Sequence, residues 1–299
     1  MFEKQKAKRL FQNALGRPDI EKAYQMVGPE DSWYNTIKKV HDSLAEIQTL
    51  PHEIWEMESH DHLQMKAVYY PGHSDKTMIW VHGYTSHAER ESAFPGLFYH
   101  SLGFNVLIPY LRAHGPSEGQ YISFGALEYD DMLRWVEQVN LHSPNGQILI
   151  HGLSMGGGIV LDLATKEMEN VKCLVVDAPS ENVESTLRGM TGHRYKQKAV
   201  RIYPHVRAKF IKEFGCDPAD FDRTRTIAFG RYPMLLSAGE REACEKLFRM
   251  LKYQNPAETE VLILPGCDHG NGMYKQTEMY HNALREFIDK YMENGLCLN

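Results

Sequence analysis

Several things are scarce in this 299-residue chain, and each scarcity removes a class of protein. No apolar stretch approaches the roughly 20 residues needed to cross a bilayer. The opening Met-Phe-Glu-Lys-Gln-Lys-Ala-Lys-Arg-Leu lacks the apolar core and small-residue cleavage site of a secretory signal. Cysteine is sparse, odd in number and scattered: Cys173, Cys216, Cys244, Cys267 and Cys297 contain no C-x-x-C pair. Reduced thiols in a cytoplasmic protein are the expectation. Excess positive charge is also missing. With 33 Lys and Arg against 39 Asp and Glu the net charge is −6, which argues against a general nucleic-acid binder. There are no internal repeats and no low-complexity tract.

What is present has the makeup of a globular domain, with 42% hydrophobic and 24% charged residues. Residues 1–50 read as an amphipathic helical extension. Trp33, Ile37, Val40 and Leu44 recur at helical spacing behind the Asp31-Ser32 cap. A surface-covering role is expected of this extension. A main domain over 51–299 follows. It opens with two alternating, half-buried strands, 52–58 and 63–70, joined by a turn at Ser59–His62. Unbroken apolar runs then appear at 78–81, 105–108, 147–150, 172–176, 234–236 and 261–264, as strands covered on both faces require. Helical patterns at 88–101, 126–140, 156–168, 240–254 and 276–293 separate and follow them. That alternation predicts an α/β fold, a mostly parallel sheet with helices on both faces. Residues 181–230 are too long for a simple connection and predict a helical cap over the pocket mouth. Its basic residues, Arg188 to Lys212, are read as a solvated face rather than as a rim for acidic substrates.

The informative stretch is Gln147-Ile-Leu-Ile-His-Gly-Leu-Ser-Met-Gly-Gly-Gly158, a strand, then G-x-S-x-G, then a helix opening on small residues. A nucleophilic serine needs this shape. Its hydroxyl must project from a sharp turn, and Gly152 and Gly156 let strand and helix approach closely around it. Ser154 is therefore the candidate nucleophile, and Met155 the donor of one oxyanion N–H. The second donor is expected from the loop after the strand ending at Val81, where His82-Gly83-Tyr84 makes Tyr84 the candidate and His82 a structural residue. His269 lies between the last strand and the last helix, where an imidazole reaches the nucleophile; Asp268 is expected to point away. The acid must fall between Ser154 and His269, after a strand end. Glu242, three residues past Gly239, is preferred over Glu240 and Asp177. Neither His60 with His62 nor Asp268 with His269 offers a full ligand set, so no metal and no cofactor are assigned.

Together His82-Gly83-Tyr84, Pro109-Tyr-Leu-Arg-Ala-His-Gly-Pro-Ser-Glu-Gly119, the serine turn, Asp177-Ala-Pro and Gly266-Cys-Asp-His269-Gly resemble bacterial α/β-hydrolases. The resemblance covers residues 52–293 and is nearest to the esterase, monoacylglycerol-lipase-like and serine-aminopeptidase-like branch. It implies the α/β-hydrolase fold and serine chemistry on a small-molecule ester. A peptidase or amidase of the same fold, or a non-catalytic binding relative, stand as alternatives. Two positions depart from the family pattern. Tyr110 stands where relatives usually carry Asp, which bears on loop geometry. Gly239-Glu-Arg-Glu242 replaces the usual Gly-x-x-Asp, so the acid carries an extra methylene in a shortened loop.

Overall fold

The computed structural model describes residues 2–242, 244–255 and 257–292. The last seven positions of the chain, with Cys297, lie outside the described residues. Helices α1 (Phe2–Leu15) and α2 (Tyr34–Ile47) come first, followed by strands β1 (Glu53–Glu58), β2 (Gln64–Tyr70) and β3 (Lys76–Val81). The alternating units are α3 (Ala88–Ser101), β4 (Asn105–Pro109), α4 (Glu128–His142), β5 (Gln147–Leu153), α5 (Met155–Leu163) and β6 (Val171–Asp177). The insertion holds α6 (Val183–Tyr195), α7 (Ala199–Phe214) and α8 (Arg223–Thr226). The chain then runs through β7 (Met234–Gly239), α9 (Glu245–Gln254), β8 (Thr259–Leu264), α10 (Gly272–Lys275) and α11 (Thr277–Tyr291).

All eight strands join one sheet in the order β1-β2-β4-β3-β5-β6-β7-β8. Strand β2 runs antiparallel to both neighbours; the other pairings are parallel. The two faces can be read from strand periodicity. Ile79, Val81, Ile148, Ile150, Leu174 and Val176 face one core with α1, α4 and α5. Met78, Trp80, Leu149, Cys173 and Val175 face the other, against α2, α3 and α11. Strands β3 and β5 are buried at every position, which explains their lack of alternation in the sequence.

Two elements are shorter than their periodicity predicts. Helix α5 stops at Leu163 because the following backbone is captured from outside: Met168 N–H donates to the Tyr232 hydroxyl, 2.7 Å, which donates to Lys166 O. Helix α9 starts at Glu245 rather than at 240, and residues 239–242 form a turn instead. The insertion also departs from expectation. Its helix α7 packs on α1, with Leu10 against Ile202 and Val206, and Phe11 against Phe214. Arg188, Arg194, Lys196, Lys198, Arg201 and Lys212 face solvent.

The loop around Tyr110 is tied down without the aspartate. Its hydroxyl donates to Glu89 Oε2, 2.5 Å, tying the loop to α3. Next to it, buried Arg112 bonds Asp131 and Asp61. Cys173, Cys216, Cys244 and Cys267 are unpaired thiols. Among the described residues no helix is long and apolar enough to cross a membrane.

Candidate active site

The site grows from the junction of β5 and α5. A Cβ on Gly156 would sit 1.9 Å from Val81 O, and one on Gly152 would sit 2.4 Å from Gly156 O. Only glycine lets the first turn of α5 press against β3 and β5 this closely. Between them Ser154 is held at φ 59° and ψ −111°, a strained conformation for a residue with a Cβ. The surrounding backbone pins it: Ser154 N–H donates to Asp177 O at 2.8 Å, and Ser180 N–H to Ser154 O at 3.0 Å. Ser154 occupies the cap position of α5, yet its hydroxyl caps nothing.

That hydroxyl is turned to His269 instead, with Oγ 2.9 Å from Nε2. On the far side of the ring Nδ1 lies 2.7 Å from Glu242 Oε2. With the proton on Nδ1, His269 donates to Glu242 and accepts from Ser154. The Glu242 carboxylate is itself fixed by its own turn, because Gly239 N–H donates to Oε1 at 2.9 Å. This is why the region begins as a turn: the side chain caps the end of β7 and leaves Oε2 for the imidazole. The hydrogen bond to Glu242 raises the His269 pKa above its usual value, outweighing the opposing effect of burial.

The other acids are committed elsewhere. Glu240 is exposed and accepts from Gly266 N–H at 2.8 Å. Asp177 is buried beneath the turn, where it accepts from His151 Nε2 at 3.0 Å and from the Tyr280 and Ser237 hydroxyls. Asp268 points outward to Arg241 and Lys275. His82 is fully buried; its Nδ1 donates to Gly83 O at 2.8 Å and its Nε2 accepts Leu111 N–H at 3.1 Å.

Met155 opens α5, so its N–H is one of those a helix start leaves without an intrahelical acceptor. The loop after β3 lies alongside. A Cβ on Gly83 would be 3.6 Å from Ser154 Cβ, which places the Gly83–Tyr84 peptide at the nucleophile. The Tyr84 ring faces away from it, stacked on Phe124 with its hydroxyl donating to Ala14 O.

A cavity of about 520 Å³ opens above Ser154 and His269. Its walls correct two sequence expectations. The 181–230 insertion contributes none of the lining residues. Instead Pro18, Asp19, Lys22, Ala23, Tyr24 and Trp33 of the N-terminal segment form one side, facing Gly83 to Ser86, Glu91 and Leu153. The segment expected to cover surface is therefore part of the pocket, a role hidden by its lack of any motif. Glu91 was also missed. It is a fully buried acid on α3, and its only sequence signal is a charge on a helix face that otherwise turns inward. Among the described residues no group of three or more His, Cys, Asp or Glu is placed to hold a metal.

Comparisons with known proteins bear on the fold and the family. The family model described as Serine aminopeptidase, S33, matches residues 72–220. Among solved structures, an esterase of Pyrococcus furiosus superposes with a TM-score of 0.66 at 21% identity, covering 93% of this chain and 99% of that one. An alpha-beta hydrolase of Vibrio vulnificus gives 0.62 at 18% identity, covering 95% and 93%. By sequence, a multifunctional-autoprocessing repeats-in-toxin protein of Vibrio cholerae is 31% identical over 132 residues, and an uncharacterised protein of Bacillus subtilis 39% over 87. These matches cover 42% and 29% of this chain but only 3% and 28% of those relatives' lengths. The sheet order and the glycine-flanked serine turn, together with these likenesses, lead to one assignment: the fold is the α/β-hydrolase fold, and the chain belongs to the α/β-hydrolase superfamily.

Proposed function

We propose that the protein is a serine hydrolase that cleaves carboxylic esters of small molecules through an acyl-enzyme on Ser154. The observation that carries this reading is the unbroken hydrogen-bond chain Ser154–His269–Glu242 at the floor of a pocket. Ser154 Oγ attacks the ester carbonyl while its proton passes to His269 Nε2, and Glu242 stabilises the imidazolium. The tetrahedral oxyanion rests on the N–H groups of Tyr84 and Met155, the latter helped by the positive end of α5. The imidazolium then protonates the leaving alcohol. Water, deprotonated by His269, attacks the acyl carbonyl and releases the acid and free Ser154.

Esters are favoured over peptides on two grounds. The structural relatives include esterases. An aminopeptidase would need a free carboxylate for the substrate ammonium. Glu91, the buried acid of this pocket, is already taken up by Gly83 N–H, Trp80 Nε1 and the Tyr24 hydroxyl, and Asp19 at its rim pairs with Lys22. The aminopeptidase reading is favoured by the description of the family model alone.

Replacing Ser154 with Ala should abolish turnover of p-nitrophenyl acetate and labelling by a fluorophosphonate, with the fold retained. Unchanged ester turnover in Ser154→Ala would sink the assignment. Faster cleavage of aminoacyl p-nitroanilides than of any p-nitrophenyl ester would replace it with the peptidase reading.

A further inference from the structure

The segment from Ala14 to Trp33 crosses the pocket as a strap, and it is held down at several points. Arg17 donates to Ser117 O at 2.8 Å. Arg90 donates to Glu21 O and Ala23 O, both at 3.1 Å, and pairs with the Glu21 carboxylate. His41 Nε2 bonds Tyr24 O at 2.8 Å. These bonds hold Tyr24 at φ 55°, in the left-handed region that a tyrosine rarely occupies. Such a conformation persists only where the surroundings over-determine it. The result is a Tyr24 side chain directed inward to Glu91, 3.3 Å from Oε2.

Glu91 is the hub. Gly83 N–H donates to it at 2.9 Å on Oε1 and 3.2 Å on Oε2, and Trp80 Nε1 donates at 3.1 Å. Gly83 carries the peptide whose next N–H belongs to Tyr84. Fixing the Gly83 N–H fixes the plane of the preceding peptide, and with Gly83 O held by His82 the following peptide is clamped as well. The strap also grips the same loop from its other end, where the Tyr84 hydroxyl reaches Ala14 O. A buried carboxylate collecting three donors is costly to maintain, and surface packing alone gives no reason for it.

We propose that Glu91 is a positioning residue for the oxyanion loop, and that Tyr24 anchors it from the N-terminal strap, so that the strap walling the pocket also sets the aim of the Tyr84 N–H. This inference rests on the serine-hydrolase reading of the same site. A donor aimed at the oxyanion acts in the transition state more than in the ground state, so its misplacement lowers kcat and leaves KM nearly unchanged. The titratable groups around Glu91 are Tyr24 from the strap, Tyr274 from α10, whose hydroxyl donates to Glu91 O, and His269 across the pocket. Burial pushes the Glu91 pKa up to about 7 against the pull of its donors. As pH falls, Glu91 takes up a proton as well as His269, and both uptakes impair the reaction.

The test is hydrolysis of p-nitrophenyl acetate by wild type, Glu91→Gln and Tyr24→Phe, with kcat and KM measured across pH and Ser154 labelling by a fluorophosphonate in parallel. Glu91→Gln should lose roughly 10- to 100-fold in kcat with KM little changed. Its acid limb should reflect one proton where the wild type's is steeper. Tyr24→Phe keeps the carboxylate and deletes one hydroxyl, so it preserves the fold if Glu91→Gln does not. Losing that donor raises the Glu91 pKa, and the acid limb should move to higher pH. Wild-type kcat in both variants, or acid limbs that match the wild type's, overturns the inference while the hydrolase reading stands. A wild type that neither turns over the ester nor labels overturns the hydrolase reading, and the inference with it.

Discussion

At the scale of single residues, the acid proposed to orient His269 is a glutamate where the family resemblance implies an aspartate. The extra methylene is taken up by the turn after Gly239, which folds the side chain back until its carboxylate caps its own backbone. One oxygen is thereby fixed and the other faces the imidazole at 2.7 Å. The consequence for pH dependence has a definite sign. The His269 pKa is raised chiefly by Glu242, and the base must be neutral, so activity is lost as pH falls through a point above the usual 6.5. Glu242→Gln removes most of that effect. Its acid limb should move to lower pH, and kcat should fall by about 10²- to 10⁴-fold, as for other losses of a triad acid. A kcat–pH profile of the variant checks both, and an unmoved limb would count against the role given to Glu242.

At the scale of elements, the tightest constraint is the packing of α5 against β3. A methyl group on Gly156 meets the Val81 carbonyl, which is backbone and cannot rotate away. Gly156→Ala must displace either the helix or the strand. A loss of ~3 kcal/mol or more is expected, at the upper end of overpacking costs, together with misplacement of Ser154. Urea unfolding and fluorophosphonate labelling would register the two effects separately. The insertion is fastened by a different device. Arg223 of α8 is fully buried and pairs with Asp162 at 2.7 Å, while donating to Phe124 O and Ser180 O. Arg223→Ala leaves Asp162 buried without its partner and should cost about 3–5 kcal/mol. A urea midpoint within error of wild type would show that the insertion docks by its apolar contacts instead.

At the scale of the whole molecule, buried Glu91 links stability to pH. Burial pushes its folded pKa up to about 7 from the usual 4.5, so the folded state retains a proton that the unfolded chain gives up. The stabilisation is full below the unfolded value and is lost as pH rises through the folded one, on the order of 3 kcal/mol in all. Glu91→Gln cannot titrate. Between about pH 5 and about pH 8 the wild type should therefore lose thermal stability relative to this variant. Parallel thermal melts at the two pH values decide it; a constant gap between the two proteins would mean that Glu91 is already ionised in the folded state throughout.

The division between what the sequence determined alone and what needed the tertiary structure follows from the range of the interactions involved. Strand–helix alternation, the serine turn and the place of His269 are local or set by chain order, so the 147–158 stretch and the 262–270 loop were legible directly. The helix expected at 88–101 is α3, and the one expected at 276–293 contains α11 at Thr277–Tyr291, both legible from periodicity. The choice among Glu242, Glu240 and Asp177 was not local. It turned on which carboxylate lies against His269: Glu242 Oε2 is 2.7 Å from Nδ1, whereas Glu240 accepts from Gly266 N–H and Asp177 is taken up by a buried histidine and two hydroxyls. The wall of the pocket was still less legible. Residues 14–33 line the pocket at Ser154 because the chain must pass from α1, packed on one face of the sheet, to α2 on the other. Contacts between residues about 70 positions apart, such as Tyr24 with Glu91, leave no periodic trace in either segment. Only the folded backbone brings them together, and with them the strap, the buried acid and the oxyanion loop.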